Sequence, residues 1–86
     1  PQGQESGYWI GECAFAQKAY ADAESSLLLY VKLNPSGKKL CSALYKLGLC
    51  FEKQEKVKSK EMVWKKLVEQ CPDSNEAQLV KNQTAQ

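Results

Sequence analysis

GYWIGECAFAQKAYADAESSLLLYVKLNP, residues 7–35, and LYKLGLCFEKQEKVKSKEMVWKKLVEQCP, residues 44–72, are the two stretches whose alignment decides the fold. Laid over one another at an offset of 37 residues, they bring Tyr8 onto Tyr45, Gly11 onto Gly48, Cys13 onto Cys50, Gln17 onto Gln54, Glu24 onto Glu61, Val31 onto Val68 and Pro35 onto Pro72. Apolar residues exchange for one another at Ile10 and Leu47, Tyr20 and Val57, Leu27 and Trp64, and Tyr30 and Leu67, while Phe15 over Glu52 breaks the pattern. Two glycines and two prolines in register, among seven identities, indicate one structural unit used twice.

Each unit reads as two helices. From about Glu5 to Gln17, Tyr8, Ile10, Gly11, Ala14 and Phe15 recur at intervals of three and four, and Ala23, Leu27, Tyr30 and Val31 do the same between Ala21 and Leu33. The second unit repeats the arrangement with Leu40, Leu44, Leu47, Cys50 and Phe51, then with Val57, Met62, Val63, Trp64, Leu67 and Val68. Pro35 and Pro72 lack the N–H that a helix interior needs, so each closes a pair. Beyond Pro72, Asp73 and Glu76 have capping-box spacing, and Ala77, Leu79 and Val80 predict a short last helix over the open end. Mid-helix glycine costs about 0.5–1 kcal/mol relative to alanine, so Gly11 and Gly48 are read as points where the second helix of each pair closes onto the first.

The phase small-Gly, Ala twelve residues on, a large apolar residue four beyond and Pro eight beyond again is met by Gly11, Ala23, Leu27 and Pro35, and resembles the tetratricopeptide (TPR) consensus. The second unit, with Gly48, Lys60, Trp64 and Pro72, departs at Lys60, where the lysine stem must lie along the surface. The implied fold is all-α, a right-handed superhelical stack of two hairpins and a capping helix. It forms a single domain over 1–86, with repeat 1 at about 4–37, repeat 2 at 38–74 and the cap at 75–84. The words Tyr8-Trp9-Ile10-Gly11-Glu12, Tyr20-Ala21-Asp22-Ala23, Asn34-Pro35-Ser36, Ala43-Leu44-Tyr45-Lys46-Leu47-Gly48 and Cys71-Pro72-Asp73-Ser74 resemble the carboxy-terminal TPR domain of the Tol-Pal-associated periplasmic proteins, the cell-division coordinator family. Related words occur in outer-membrane assembly lipoproteins. The resemblance implies a periplasmic adaptor that contacts the Tol envelope machinery and links constriction to cell-wall synthesis.

Composition narrows the chemistry. Histidine is absent, which removes the usual neutral-pH base and the commonest zinc ligand, and arginine is absent, which removes the bidentate fork used on phosphate and guanine. The expectation is a protein-binding module rather than an enzyme, with no metal, no cofactor and no nucleic-acid partner. Residues 1–37 carry two lysines against four acids and residues 38–86 carry ten against six, so charge runs from acidic to basic along the array. No apolar run approaches the roughly 20 residues of a membrane span. The ends, Pro1-Gln2-Gly3-Gln4 and Asn82-Gln83-Thr84-Ala85-Gln86, read as cuts in a longer protein. Stacked repeats are usually stable from about three units upward, so two and a half make self-association an expectation too.

First helices line the concave side of a TPR array, which places Tyr8, Glu12 and Phe15 of repeat 1 and Tyr45, Leu49, Glu52 and Lys53 of repeat 2 in a candidate groove, with the tyrosines as its aromatic floor. Trp9 and Trp64 fall on apolar stripes and are assigned to the core. Lys53, Lys56, Lys58, Lys60, Lys65 and Lys66, interrupted by Glu52, Glu55 and Glu61, form a solvated helical face. Cys13 and Cys50 sit at equivalent places on neighbouring first helices, about 8–10 Å apart axis to axis, too far for a bridge, and are expected as buried thiols. Cys41 opens the first helix of repeat 2 and Cys71 closes its second, which makes them the candidate disulfide pair. Closing that loop would stabilise by roughly 3–4 kcal/mol.

Overall fold

The fold is seen in a computed structural model that describes residues 2–84. Five helices follow one another: α1 (Gln2–Ala16), α2 (Tyr20–Leu33), α3 (Leu40–Lys53), α4 (Val57–Gln70) and α5 (Asn75–Thr84). The described residues contain no strand, so the architecture is all-α. Helix α2 moved by 37 residues is α4, end for end, and α1 moved likewise ends where α3 ends.

The equivalence extends to the turns. Lys18 and Glu55, again 37 residues apart, are the non-glycine residues with positive φ among the described residues, at 64° and 63°. Each follows a first helix, and in each the next backbone N–H reaches back five residues, Ala19 to the Ala14 carbonyl and Lys56 to that of Phe51, both at 2.8 Å. Lys18 also donates to the Phe15 carbonyl and Glu55 to that of Glu52. This is the Schellman arrangement, which terminates a helix with a left-handed residue and returns the chain antiparallel. Helices α2 and α4 then stop two residues short of Pro35 and Pro72.

Packing within each hairpin turns on its glycine. A Cβ on Gly11 would stand 2.6 Å from Leu27 Cγ, and one on Gly48 would fall on the Trp64 indole. Leu27 and Trp64 are repeat equivalents, so the same close approach is built twice with different side chains. Lys60 lays its stem toward Trp64, with Nζ 5.1 Å from the ring centre, where repeat 1 has the fully buried Ala23. The core runs through both hairpins: Leu27, Leu44, Leu47, Cys50 and Leu67 are completely enclosed, with Tyr30, Phe51 and Trp64 around them.

Helix α2 packs across α3 and joins the two repeats. There the Glu24 carboxylate accepts a hydrogen bond from Gln54 Nε2 at 2.8 Å and pairs with Lys56 Nζ at 3.3 Å. The Tyr30 hydroxyl accepts the Lys39 backbone N–H at 3.1 Å, tying α2 to the start of α3. Cys41 and Cys71 are disulfide-bonded, their Cα atoms 6.2 Å apart, which locks the open end of the second hairpin.

Several expectations are corrected. The cap of α5 is Ser74 rather than Asp73: its Oγ accepts the Ala77 N–H at 3.0 Å, and Glu76 turns instead to Ser42. Ala77 and Val80 of α5 are buried, but Leu79 is exposed. Trp9, Ile10, Val57 and Met62 are also exposed, because helical periodicity marks an apolar stripe wider than the strip a neighbouring helix covers. Cys13 is exposed while its equivalent Cys50 is buried, since α3 has α2 on one flank and α1 has no counterpart there among the described residues.

Candidate partner-binding face

Helices α1 and α3 run side by side one repeat apart, and residues one turn out of phase meet across the gap. Lys46, on α3, reaches Glu12 of α1 at 3.3 Å and lies over the Phe15 ring at 4.6 Å. Glu12 in turn accepts the Tyr8 hydroxyl at 2.7 Å. At the start of α3, the Lys39 ammonium stands 5.3 Å from the Trp9 ring and 5.9 Å from that of Tyr8. Farther along, Ser42 donates to Glu76 at 2.9 Å and so ties α3 to α5. The face is a row of aromatic rings and charged tips already joined to each other, so these side chains have lost much of their rotamer freedom within the fold itself.

The groove residues named from the sequence divide. Glu12 and Phe15 stand half-buried in this row, and Phe15 also meets Tyr20 edge-on at 5.4 Å. Leu49 is half-buried against the core, and Glu52 and Lys53 are exposed one turn on. The tyrosines do not form an aromatic floor. Tyr8 is buried, 6% exposed, against Tyr30 and Trp9. Tyr45 stacks on Trp64 at 5.7 Å within its own hairpin, and the Trp64 indole N–H donates to the Tyr45 carbonyl at 3.2 Å. An aromatic ring beside the close-approach glycine is drawn into the interhelix seam, where it buries more area than it would on the surface.

Burial pushes the Tyr8 hydroxyl up to about 12, reinforced by its bond to the Glu12 carboxylate and by that group's charge. Burial also pushes the Cys50 thiol up to about 11, with Glu24 adding to the shift and Lys46 opposing it. Both groups stay neutral at physiological pH and neither is a nucleophile. Among the described residues no cluster of Cys, Asp and Glu is arranged to hold a metal ion, and no helix is long and apolar enough to cross a membrane.

Sequence reasoning missed Trp9, Lys39, Ser42, Lys46 and Glu76 as parts of this face. One signal was available: Lys46 is the repeat equivalent of Trp9, one turn before Glu12's own equivalent, and a lysine at that phase faces an acid on the preceding first helix. The lysine-rich segment is solvent-exposed as expected, apart from the half-buried Lys60, and Lys56 is held by Glu24. A concavity of about 400 Å³ lies between α4 and α5 over Trp64, Val68 and Val80. Its rim mixes Lys60, Lys65 and Lys81 with Glu61 and Glu69, so it selects no sign of charge.

Residues 42–74, which span most of α3, all of α4 and the loop before α5, match the family model of the tetratricopeptide repeat. No curated protein matches the chain. The second hairpin thus matches a tetratricopeptide repeat, and the first is like it in the end of its first helix, the span of its second, its turn and its glycine contact. TPR modules generally serve protein–protein interaction, and this chain has their architecture.

Proposed function

We propose that the chain is a protein-binding adaptor that holds an extended peptide or a helix of its partner along the α1, α3 and α5 face, and that it does no chemistry of its own. The row formed by Trp9, Lys39, Glu12, Lys46 and Phe15 carries this reading, because it offers rings and both signs of charge, pre-positioned, on successive first helices. Exposed Glu52 and Lys53 extend the row and supply its salt-sensitive contacts.

In its narrower form, the proposal is a periplasmic TPR domain of the Tol-Pal-associated type, linking envelope constriction to cell-wall synthesis with Tol envelope proteins as partners. It is supported by the sequence words that resemble that family and by the Cys41–Cys71 bridge, since structural disulfides persist in oxidising compartments. A TPR module of another envelope assembly factor would share both features, and a regulatory subdomain of a larger enzyme would share the fold.

Pull-downs from envelope extract at two salt concentrations test the proposal, comparing the chain with a Glu52→Lys, Lys53→Glu variant. Both positions are exposed, so folding should change by no more than about 0.5 kcal/mol while capture falls. Equal capture by both proteins would overturn the groove, and capture of nucleic acid instead of protein would overturn the function.

A further inference from the structure

The two junctions at which the chain leaves a hairpin share a turn but are held in different ways. After α2 the Gly37 N–H donates to the Asn34 carbonyl at 2.9 Å, and after α4 the Ser74 N–H, 37 residues on, donates to the Cys71 carbonyl at 3.1 Å. The first junction is tied down by the Tyr30 hydroxyl, which accepts the Lys39 backbone N–H just before α3. Leu67 is the equivalent of Tyr30 and has no hydroxyl, so the second junction needs another tie. Cys71 supplies it: it stands where repeat 1 has Asn34, and it is bonded to Cys41 in the first turn of α3.

The polar contacts that seat α5 converge on this bridge. The Ser74 hydroxyl donates to the Cys71 carbonyl at 2.9 Å while it accepts the Ala77 N–H, so the cap of α5 is fixed to Cys71 itself. Ser42, next to Cys41, donates to Glu76 in the first turn of α5. The end of α4 is weak by itself, since its last turn carries Glu69 and no base, against the helix dipole.

We propose that the Cys41–Cys71 bridge is a redox latch on α5. Closed, it seats α5 on α3 and α4; opened by a dithiol reductant, it lets the turn at 71–74 and α5 come away while the hairpins stay packed. The exchange is a two-electron step. A thiolate of the reductant attacks the sulfur of Cys41, the half-buried partner, and Cys71 leaves as a thiolate that takes up a proton. The second thiol of the reductant then attacks the mixed disulfide and releases Cys41, so the reductant ends as its own disulfide and its two hydrogens end on the cysteines. The hairpins have more to hold them: Leu27, Leu44, Leu47, Cys50 and Leu67 are enclosed there, whereas α5 buries Ala77 and Val80 among its described residues. The latch is independent of what the α1, α3 and α5 face binds.

Hydrogen–deuterium exchange of the backbone amides before and after dithiothreitol tests it. With the bridge closed, the Ala77 and Gln78 amides, both bonded to Ser74, should be protected. With it open, α5 amides should exchange close to the rate of unstructured chain, about tenfold or more faster than those in the middle of α2 and α3. A Cys41→Ser, Cys71→Ser variant should show the same pattern without reductant, and reoxidation of the parent chain should restore protection. Ser42→Ala with the bridge closed should quicken α5 exchange by only about fivefold, the loss of one hydrogen bond. In the reduced chain, a single common rate for α5 and α3 would make the bridge a brace of the whole domain and overturn the latch. Protection of α5 that reduction leaves unchanged, that reoxidation fails to restore, or that Ser42→Ala abolishes with the bridge closed would overturn it too. No partner enters the measurement, so its outcome is separate from that of the pull-downs.

Discussion

Replacing Gly48 with alanine sets two opposed effects against each other, and the structure decides between them. In an exposed helix interior the exchange is worth about 1 kcal/mol in alanine's favour. At Gly48 the added methyl would fall on the Trp64 indole, which is 3% exposed, stacked on Tyr45 and hydrogen-bonded to the Tyr45 carbonyl. A rigid ring so held cannot swing aside. Overpacking costs about 1–3 kcal/mol and loss of the indole hydrogen bond about 1, so the net is a destabilisation of roughly 2 kcal/mol. For a domain of this size that lowers Tm by roughly 8–16 °C. Gly11→Ala should be milder, near 1 kcal/mol destabilising, because Leu27 can change rotamer to relieve a contact at 2.6 Å. Gly7→Ala should have the opposite sign. Its methyl would meet Tyr30 Cβ at 3.6 Å and the Ser26 carbonyl at 3.7 Å, ordinary contacts, so the helix gains about 0.5–1 kcal/mol. Thermal and urea denaturation of the three variants, with the disulfide intact, gives the ranking. Should Gly48→Ala prove as stable as the parent, the close approach of α4 to α3 is not what fixes glycine there, and the equivalence of the two hairpins loses its physical basis.

The left-handed turn residues give a second test: Lys18→Gly and Glu55→Gly should each stabilise by up to about 1 kcal/mol in urea titrations, because a side chain at positive φ is strained and glycine is not. Reduction of the Cys41–Cys71 bridge, which spans 30 residues, should cost roughly 3–4 kcal/mol, read as a lower urea midpoint with a reductant present. Alkaline pH should weaken the fold in two steps. Folding raises the Cys50 thiol from 9.0 to about 11 and the Tyr8 hydroxyl from 10.0 to about 12, so the native state favours the neutral forms. Their contribution is whole below the unfolded values and disappears as pH rises through the folded ones. Tm should therefore be level up to about pH 9 and fall between pH 9 and 12, with Cys50→Ala removing the part below 11 and Tyr8→Phe the part above 10.

Much of the architecture was legible in residue order alone, because a repeat announces itself by register. Gly11 and Gly48, Pro35 and Pro72 and the apolar spacing between them predicted two helical hairpins and a cap, and the helices of repeat 1 and repeat 2 correspond in residue range at that offset to within one residue. Local chemistry carried this part: proline cannot continue a helix interior, and glycine against a large side chain marks a seam. What the order of residues could not assign was which flank of each helix is covered. Ile10 and Leu47 are near-identical in type and phase, yet one is 58% exposed and the other fully enclosed. The same holds for Cys13 and Cys50, and Trp9 reads as core until its equivalent Lys46 is seen reaching across to Glu12. Burial depends on a neighbour from a distant part of the chain. Periodicity reports only that a side chain is able to be buried, so which flank of each helix is covered came into view with the packing of α2 on α3.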